Sequence, residues 1–471
     1  MEVKRGLTRA ATLLLLAIGA QNPTREAEDA TIPIEEVSQE PHISSSPLYE
    51  MIERELAVED SLRGGRTKAW ETLYKDIDTS TVACFYPDGR VSYIAASDGR
   101  DKEALLDSLT ERGISRGWFC RAGRKERIMP YLDEMAEFQQ VFADIYSRST
   151  HPDIALHLGN ESVWRPDVRS WSGALGISQV LRSNYNKLRN KLSPKISWKD
   201  PFVMSEISSE AIAFFTKWHD SSILALTAYH AGPENMERLI INGKDLEPNA
   251  QPVRQYHAAI NFYENLPREG IRDKRAYSRI VKTFREASQN YTAASFAFRG
   301  IRDSILEHTE NLPVYRHFAD NDWGLSVIQY LTGMDSTSMS RLNGHLGEYV
   351  GEGELVYTTK PDILLGRYER VGHEECPILD IVLESWNNAV IPSNLRDASR
   401  MFSEYADRFR MTDCLRGEII AGVLEVFGVD HINYLYRSGF IRERDRYEKD
   451  PTRLKAINNY VFDESDDISS H

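Results

Sequence analysis

An apolar run long enough to cross a bilayer is missing near the N-terminus: Ala10 to Ala20 falls short of the ~20 residues that a spanning helix needs. Excess positive charge is missing too. The formal net charge is -14, which argues against general nucleic-acid binding, because that needs a basic face to release phosphate counterions. Adhesion to an anionic wall by charge alone is equally disfavoured, so wall binding has to use local pockets. No metal-ligand spacing of His, Cys or carboxylates stands out, and no Gly-x-x-x-x-Gly-Lys loop occurs; neither metal nor cofactor is expected. Cysteine is scarce, at four residues, spaced too widely for a CxxC site. None directly follows the apolar run, so no lipid anchor is expected.

What is present begins with Lys4, Arg5 and Arg9 ahead of that run and a polar stretch from Gln21 onward. This order predicts a secretory signal over residues 1–20 and export to the periplasm or cell envelope. Residues 21–46 are polar, acidic and proline-dotted, and read as a linker. Cys84 and Cys120 fall before the middle of the chain, Cys376 and Cys414 after it. Export makes two local disulfides the expectation, with four buried thiols as the alternative.

The chain is 471 residues long, 41% apolar and 27% charged, enough for several compact units. Residues 47–127 read as a small α/β segment, with strands at Val82–Phe85 and Val91–Ala95 around the turn Pro87-Asp88-Gly89. Residues 128–300 read as mainly α. Tyr131, Leu132, Met135, Phe138, Val141, Phe142 and Ile145 recur at helical spacing, as do Ile207, Ala211, Phe214, Phe215 and Trp218. Ile223 to Ala228 is almost wholly apolar and stops at Gly232-Pro233, the pattern of a helix at the centre of a domain. From 370 to 460 the chain is expected to be helical again. Leu395, Ala398, Met401, Phe402, Tyr405 and Phe409 form one face, and Ile419 to Phe427 a second apolar helix.

Four blocks stand in the middle region: Glu161-Ser162; Ser170-Trp171-Ser172-Gly173-Ala174-Leu175-Gly176-Ile177-Ser178-Gln179; Ala228-Tyr229-His230-Ala231-Gly232; and Leu266-Pro267 followed by Arg275-Ala276-Tyr277. In this order they resemble the lytic transglycosylases of the goose-lysozyme-like group, over roughly residues 130–290. The resemblance implies a lysozyme-like α-helical catalytic domain that acts on peptidoglycan glycan strands. It implies Glu161 as the catalytic acid and base, with Ser170, Gln179, Tyr229, His230 and Tyr277 lining the substrate cleft. His230 departs from the family, which usually has Asn there, and no Pro-x-Thr-Ala stretch follows Gln179.

The residue types suit that chemistry independently. Cleaving a glycosidic bond needs an acid for the leaving oxygen, and a Glu at the end of an apolar helix is placed to be desolvated into its neutral form. No second carboxylate lies within the blocks, which agrees with the one-carboxylate scheme of the resembling family. There the muramyl C6 hydroxyl closes onto C1 to leave a 1,6-anhydro sugar. A lysozyme-type hydrolase on the same fold, and an inert glycan-binding scaffold, are the alternatives. Small residues at Gly173, Ala174 and Gly176 are expected to let backbone approach a sugar. Farther on, residues 313–358 resemble a LysM module, a βααβ unit that binds N-acetylglucosamine-containing glycans. Val314 to Phe318 would be its first strand and Gly353 to Tyr357 its last, with an ordinary α/β connector as the alternative.

Overall fold

The computed structural model describes residues 47–63, 66–86, 90–95, 104–109, 119–192, 195–265, 288–361, 365–373 and 415–429, all within one compact unit, 46–471. The expected signal, linker, Tyr277, Cys376, Cys414 and the 395–409 helix lie outside them. The fold is mainly α, and no helix among the described residues is long and apolar enough to cross a membrane.

Helices α1 (Pro47–Arg63) and α2 (Arg66–Lys75) precede a three-stranded antiparallel sheet in the order β2 (Val91–Ala95), β1 (Thr81–Phe85), β3 (Phe119–Ala122). The register sets Cys84 opposite Cys120, and the two form a disulfide. Tyr74 of α2 stacks on Phe298 at 4.4 Å between ring centroids, so this first segment shares its core with the helical region that follows.

That region runs through α3 (Lys125–Glu134), α4 (Gln139–Ser147), a 3-10 turn at Pro152–Leu156, α5 (His157–Ser162), the two-stranded hairpin β4 (Ala174–Leu175) and β5 (Val180–Leu181), and α6 (Arg182–Arg189). Then come α7 (Pro201–His219), α8 (Ser222–Ala231), α9 (Pro233–Leu246), α10 (Pro252–Asn265), α11 (Tyr291–Phe296) and α12 (Arg299–Leu306). Helix α7 starts where Asp200 accepts from the backbone N–H groups of Phe202 and Val203 with Pro201 in the first turn, and stops at the left-handed Asp220. Helix α8 starts at the Ser221 cap and stops at Gly232, φ 91°. Both are buried along most of their length, and α8 is the apolar central helix expected from its composition. Its first turn is also held from α1, where the Glu55 carboxylate accepts from the Ile223 N–H at 3.1 Å.

A second antiparallel sheet has the order β10 (Gly366–Arg370), β6 (Tyr315–Ala319), β9 (Leu355–Thr358). Between β6 and β9 come the short β7 (Trp323–Gly324), α13 (Leu325–Thr332), α14 (Ser336–Asn343) and β8 (Tyr349–Val350), with β7 paired to β8. Buried Asn343 clamps β9, its amide donating to the Tyr357 carbonyl and its oxygen accepting from the Tyr357 N–H, each at 2.7 Å. This sheet is bonded to the helical region. Arg316 lies between Glu206 at 2.8 Å and Glu369 at 2.9 Å, and the Tyr357 hydroxyl donates to the Asp200 carboxylate at 2.7 Å. The last described element, α15 (Leu415–Val423), packs on α7 and continues into a π turn over Leu424–Val429.

Candidate active site

Glu161 sits in the last turn of α5, whose cap residue Val163 is left-handed at φ 56° and returns its N–H to the Gly159 carbonyl. Trp164 follows at the same φ and drives its ring beneath the helix, against Phe298 at 5.1 Å. Gly159 makes room for it: a Cβ there would lie 2.3 Å from the indole. A β-branched and an aromatic residue in consecutive left-handed conformations are costly, of order 1–3 kcal/mol each. Gln179 shares that conformation, at φ 51°. Three of the four non-glycine residues with positive φ among those described thus either directly follow the Glu161-Ser162 block or end the 170–179 block, where strain accompanies a held geometry.

The 173–179 turn is fastened to α5 and α8 by backbone-directed side chains. Ser162 donates to the Ile177 carbonyl at 2.6 Å and Tyr229 donates to the Ser178 carbonyl at 2.7 Å. Gln179 donates from its amide nitrogen to the carbonyls of Val168, 3.1 Å, and Gly176, 2.7 Å. Ser170 closes the hairpin's mouth by accepting from the Ala174 N–H at 2.9 Å. Gly176 is needed for a reason other than access to sugar: at φ 75° a Cβ would stand 2.2 Å from the Trp198 carbonyl oxygen. Gly173, at φ 84°, does face open space, and Trp171 beside it is fully exposed.

The half-buried Glu161 accepts a hydrogen bond from the Tyr291 hydroxyl at 2.6 Å. Desolvation pushes its pKa up to about 7, against the opposing pull of that hydrogen bond. Tyr229 is close enough for Glu161 to raise its own pKa further, beyond the effect of burial. The exposed His230 stacks on Tyr291, with ring centroids 4.5 Å apart and planes at 21°. A carboxyl kept neutral to near neutrality, with a hydroxyl beside one oxygen, can give a proton, and that hydroxyl can then donate to the carboxylate left behind.

Of the residues expected at the site, Tyr229 lies beside Glu161, and His230 reaches it through Tyr291. Gln179 and Ser170 shape the adjoining turn with their side-chain polar atoms on backbone groups. Tyr277 lies outside the described residues. Tyr291, fourteen residues later, lies outside the four blocks and heads the small-residue helix Thr292-Ala293-Ala294-Ser295, an aromatic at its start being the only sign of it in the sequence. Among the described residues no group of His, Cys and carboxylates could hold a metal ion. No curated protein is matched by the chain. Residues 151–251, which hold Glu161, the 170–179 turn and Tyr229-His230, match the family described as the transglycosylase SLT domain, and the chain carries a lytic transglycosylase catalytic domain there.

Proposed function

We propose that this protein cleaves the β-1,4 bond between MurNAc and GlcNAc in peptidoglycan by intramolecular transglycosylation, with Glu161 as general acid and then general base. The observation that carries the proposal is the Glu161 carboxyl, desolvated to a pKa of about 7 and held by Tyr291. In its protonated form Glu161 gives its proton to the leaving glycosidic oxygen. As carboxylate, it takes the proton of the muramyl C6 hydroxyl, whose oxygen closes onto C1 to leave a 1,6-anhydro end. The one-carboxylate scheme is supported by the nearest carboxylate along the chain: Asp167, between the first two blocks, is exposed and faces Arg165 at 3.6 Å.

We assign Ser170, Gln179, Tyr229 and His230 to the cleft, with Tyr277 retained as a further cleft residue from the motif. Export to the cell envelope, where this substrate lies, belongs to the same proposal. Residues 128–300 would carry cleavage, and residues 313–358 would hold glycan in a LysM-like manner. The strand–helix–helix–strand order of β6, α13, α14 and β9 and the exposed Tyr330 and Tyr349 support that role. Mass spectrometry of muropeptides released from purified sacculi tests the reaction. Anhydro-muramyl ends are expected, and reducing ends would replace transglycosylation by hydrolysis.

A further inference from the structure

Behind Glu161 a chain of polar side chains runs into the core. Tyr291, which donates to Glu161, has its hydroxyl oxygen 3.3 Å from His157 Nδ1. The other ring nitrogen, Nε2, is 2.6 Å from the Tyr146 hydroxyl, which is in turn hydrogen-bonded to the Ser208 hydroxyl. Ser208 Oγ can also donate to the Ser205 carbonyl of its own helix at 3.0 Å. His157, Tyr146 and Ser208 are fully buried and Tyr291 is nearly so. Four elements supply the chain (α5, α11, α4 and α7), so it is not a by-product of one helix's periodicity.

Each member has one proton to donate, so the chain can run in either of two opposite senses. With Glu161 ionised, Tyr291 donates to Glu161, His157 Nδ1–H donates to Tyr291, Tyr146 donates to Nε2 and Ser208 donates to Tyr146. With Glu161 protonated on Oε1, the oxygen beside Tyr291, its O–H donates to Tyr291, Tyr291 donates to Nδ1, Nε2–H donates to Tyr146, and Tyr146 donates to Ser208, whose proton turns to Ser205. One proton leaves overall, from Glu161; His157 carries a single N–H in both states, on Nε2 in the acid state and on Nδ1 in the carboxylate state. Only a neutral imidazole can present a donor on either side and an acceptor on the other. Burial depresses the His157 pKa to about 3, so the ring is neutral in both states.

We propose that His157 is a positioning residue for Glu161, its tautomer coupled through Tyr291 to the protonation of the carboxyl, so that Glu161 has a matched partner both as acid and as base. The titratable groups that face Glu161 and His157 among the described residues are Tyr146 from α4, Tyr229 and His230 from α8, and Tyr291 from α11. Burial raises the pKa of each of these tyrosines, and desolvation lowers that of His230. The three tyrosines therefore stay neutral across the range in which Glu161 titrates. The inference rests on the acid–base reading of Glu161, but its test does not use activity.

The test is nitrogen NMR of the full chain with 15N-labelled histidine, from pH 5 to 9. The His157 signals are identified by their loss in His157→Gln or, if that variant does not fold, by their displacement in Tyr146→Phe. The expected result is that the unprotonated-nitrogen signal passes from Nδ1 to Nε2 as pH rises through about 7. In Glu161→Gln the tautomer should stay the same across the range. One tautomer throughout in the wild-type chain, or a change that persists in Glu161→Gln, would overturn the coupling while leaving the proposed reaction untouched. Loss of the proposed reaction would be read separately, from the muropeptide products.

Discussion

At the scale of single residues the chemistry turns on how far one carboxyl has been taken out of water. The folded Glu161 pKa is raised from the ordinary glutamate range to about 7. Between those values the folded chain keeps a proton that the unfolded chain has lost. Stability therefore falls as pH rises through this window and levels off above it. Glu161→Gln should abolish sacculus lysis, a loss of at least about 10²–10⁴ in rate. It should also flatten that pH slope, leaving the variant about 1–3 kcal/mol more stable than wild type at pH 8 after allowance for solvent at a half-buried group. Denaturation curves at pH 4 and pH 8 check the second point, and lysis within about tenfold of wild type would remove Glu161 from the mechanism. Tyr291→Phe deletes the hydrogen bond that holds the carboxylate. A bond of that kind is worth about 1.5–3 kcal/mol, so turnover should drop roughly 10- to 100-fold. Because the bond lowers the Glu161 pKa, the alkaline limb of kcat/KM should move to higher pH. An unmoved limb in a pH–rate profile would mean that the tyrosine only packs there.

At the scale of elements, the site depends on close approach between α5 and the ring that supports it. Gly159→Ala sets a methyl group 2.3 Å from the Trp164 indole and 3.0 Å from Phe298, both of them buried rings. Overpacking of this kind costs about 1–3 kcal/mol, and here it would displace the last turn of α5, with Glu161 on it. Urea denaturation together with lysis assays should show both losses; a variant with wild-type stability and activity would mean the indole has room to move. Elements of this type were legible in the sequence wherever one physical signal dominated. Apolar periodicity marked α4 and α7, unbroken apolarity marked α8, and short apolar runs on either side of a turn marked β1 and β2. The strand β3 was not legible, because its four residues, Phe-Cys-Arg-Ala, carry too little pattern and it is defined by its pairing with β1. Glu161 and Tyr229, which the structure sets close together, stood out as candidates because they belong to contiguous blocks. Tyr291 could not, because its bond to Glu161 spans 130 residues, and His157 resembled any polar residue in a helix. The work of Ser170 and Gln179 was hidden for another reason: a side chain bonded to backbone leaves no mark in the identity of its partner.

At the scale of the whole molecule, the helical region and the β6–β9 unit share buried charge. Arg316 is wholly buried between Glu206 and Glu369, and Glu206 also meets Arg148 at 3.1 Å. Such a chain of ions is weak evidence for added stability, because desolvation offsets much of the attraction, but breaking it leaves an uncompensated charge in the core. Arg316→Ala should therefore cost about 3–5 kcal/mol, although the residue lies on a different element from every residue assigned to catalysis. The same reasoning bears on a shortened chain. Residues 128–300 contain the described part of the proposed site, yet alone they would leave Glu206 without Arg316, Asp200 without the Tyr357 hydroxyl, and Phe298 without the stacked Tyr74. The expected outcome is that a 128–300 fragment is insoluble or lacks cooperative unfolding, whereas residues 46–471 unfold cooperatively and retain lysis. Circular dichroism melts of the two chains decide between them. A 128–300 fragment that melts cooperatively and cuts soluble glycan would show that the contacts across both boundaries hold neighbours together without supporting the catalytic fold.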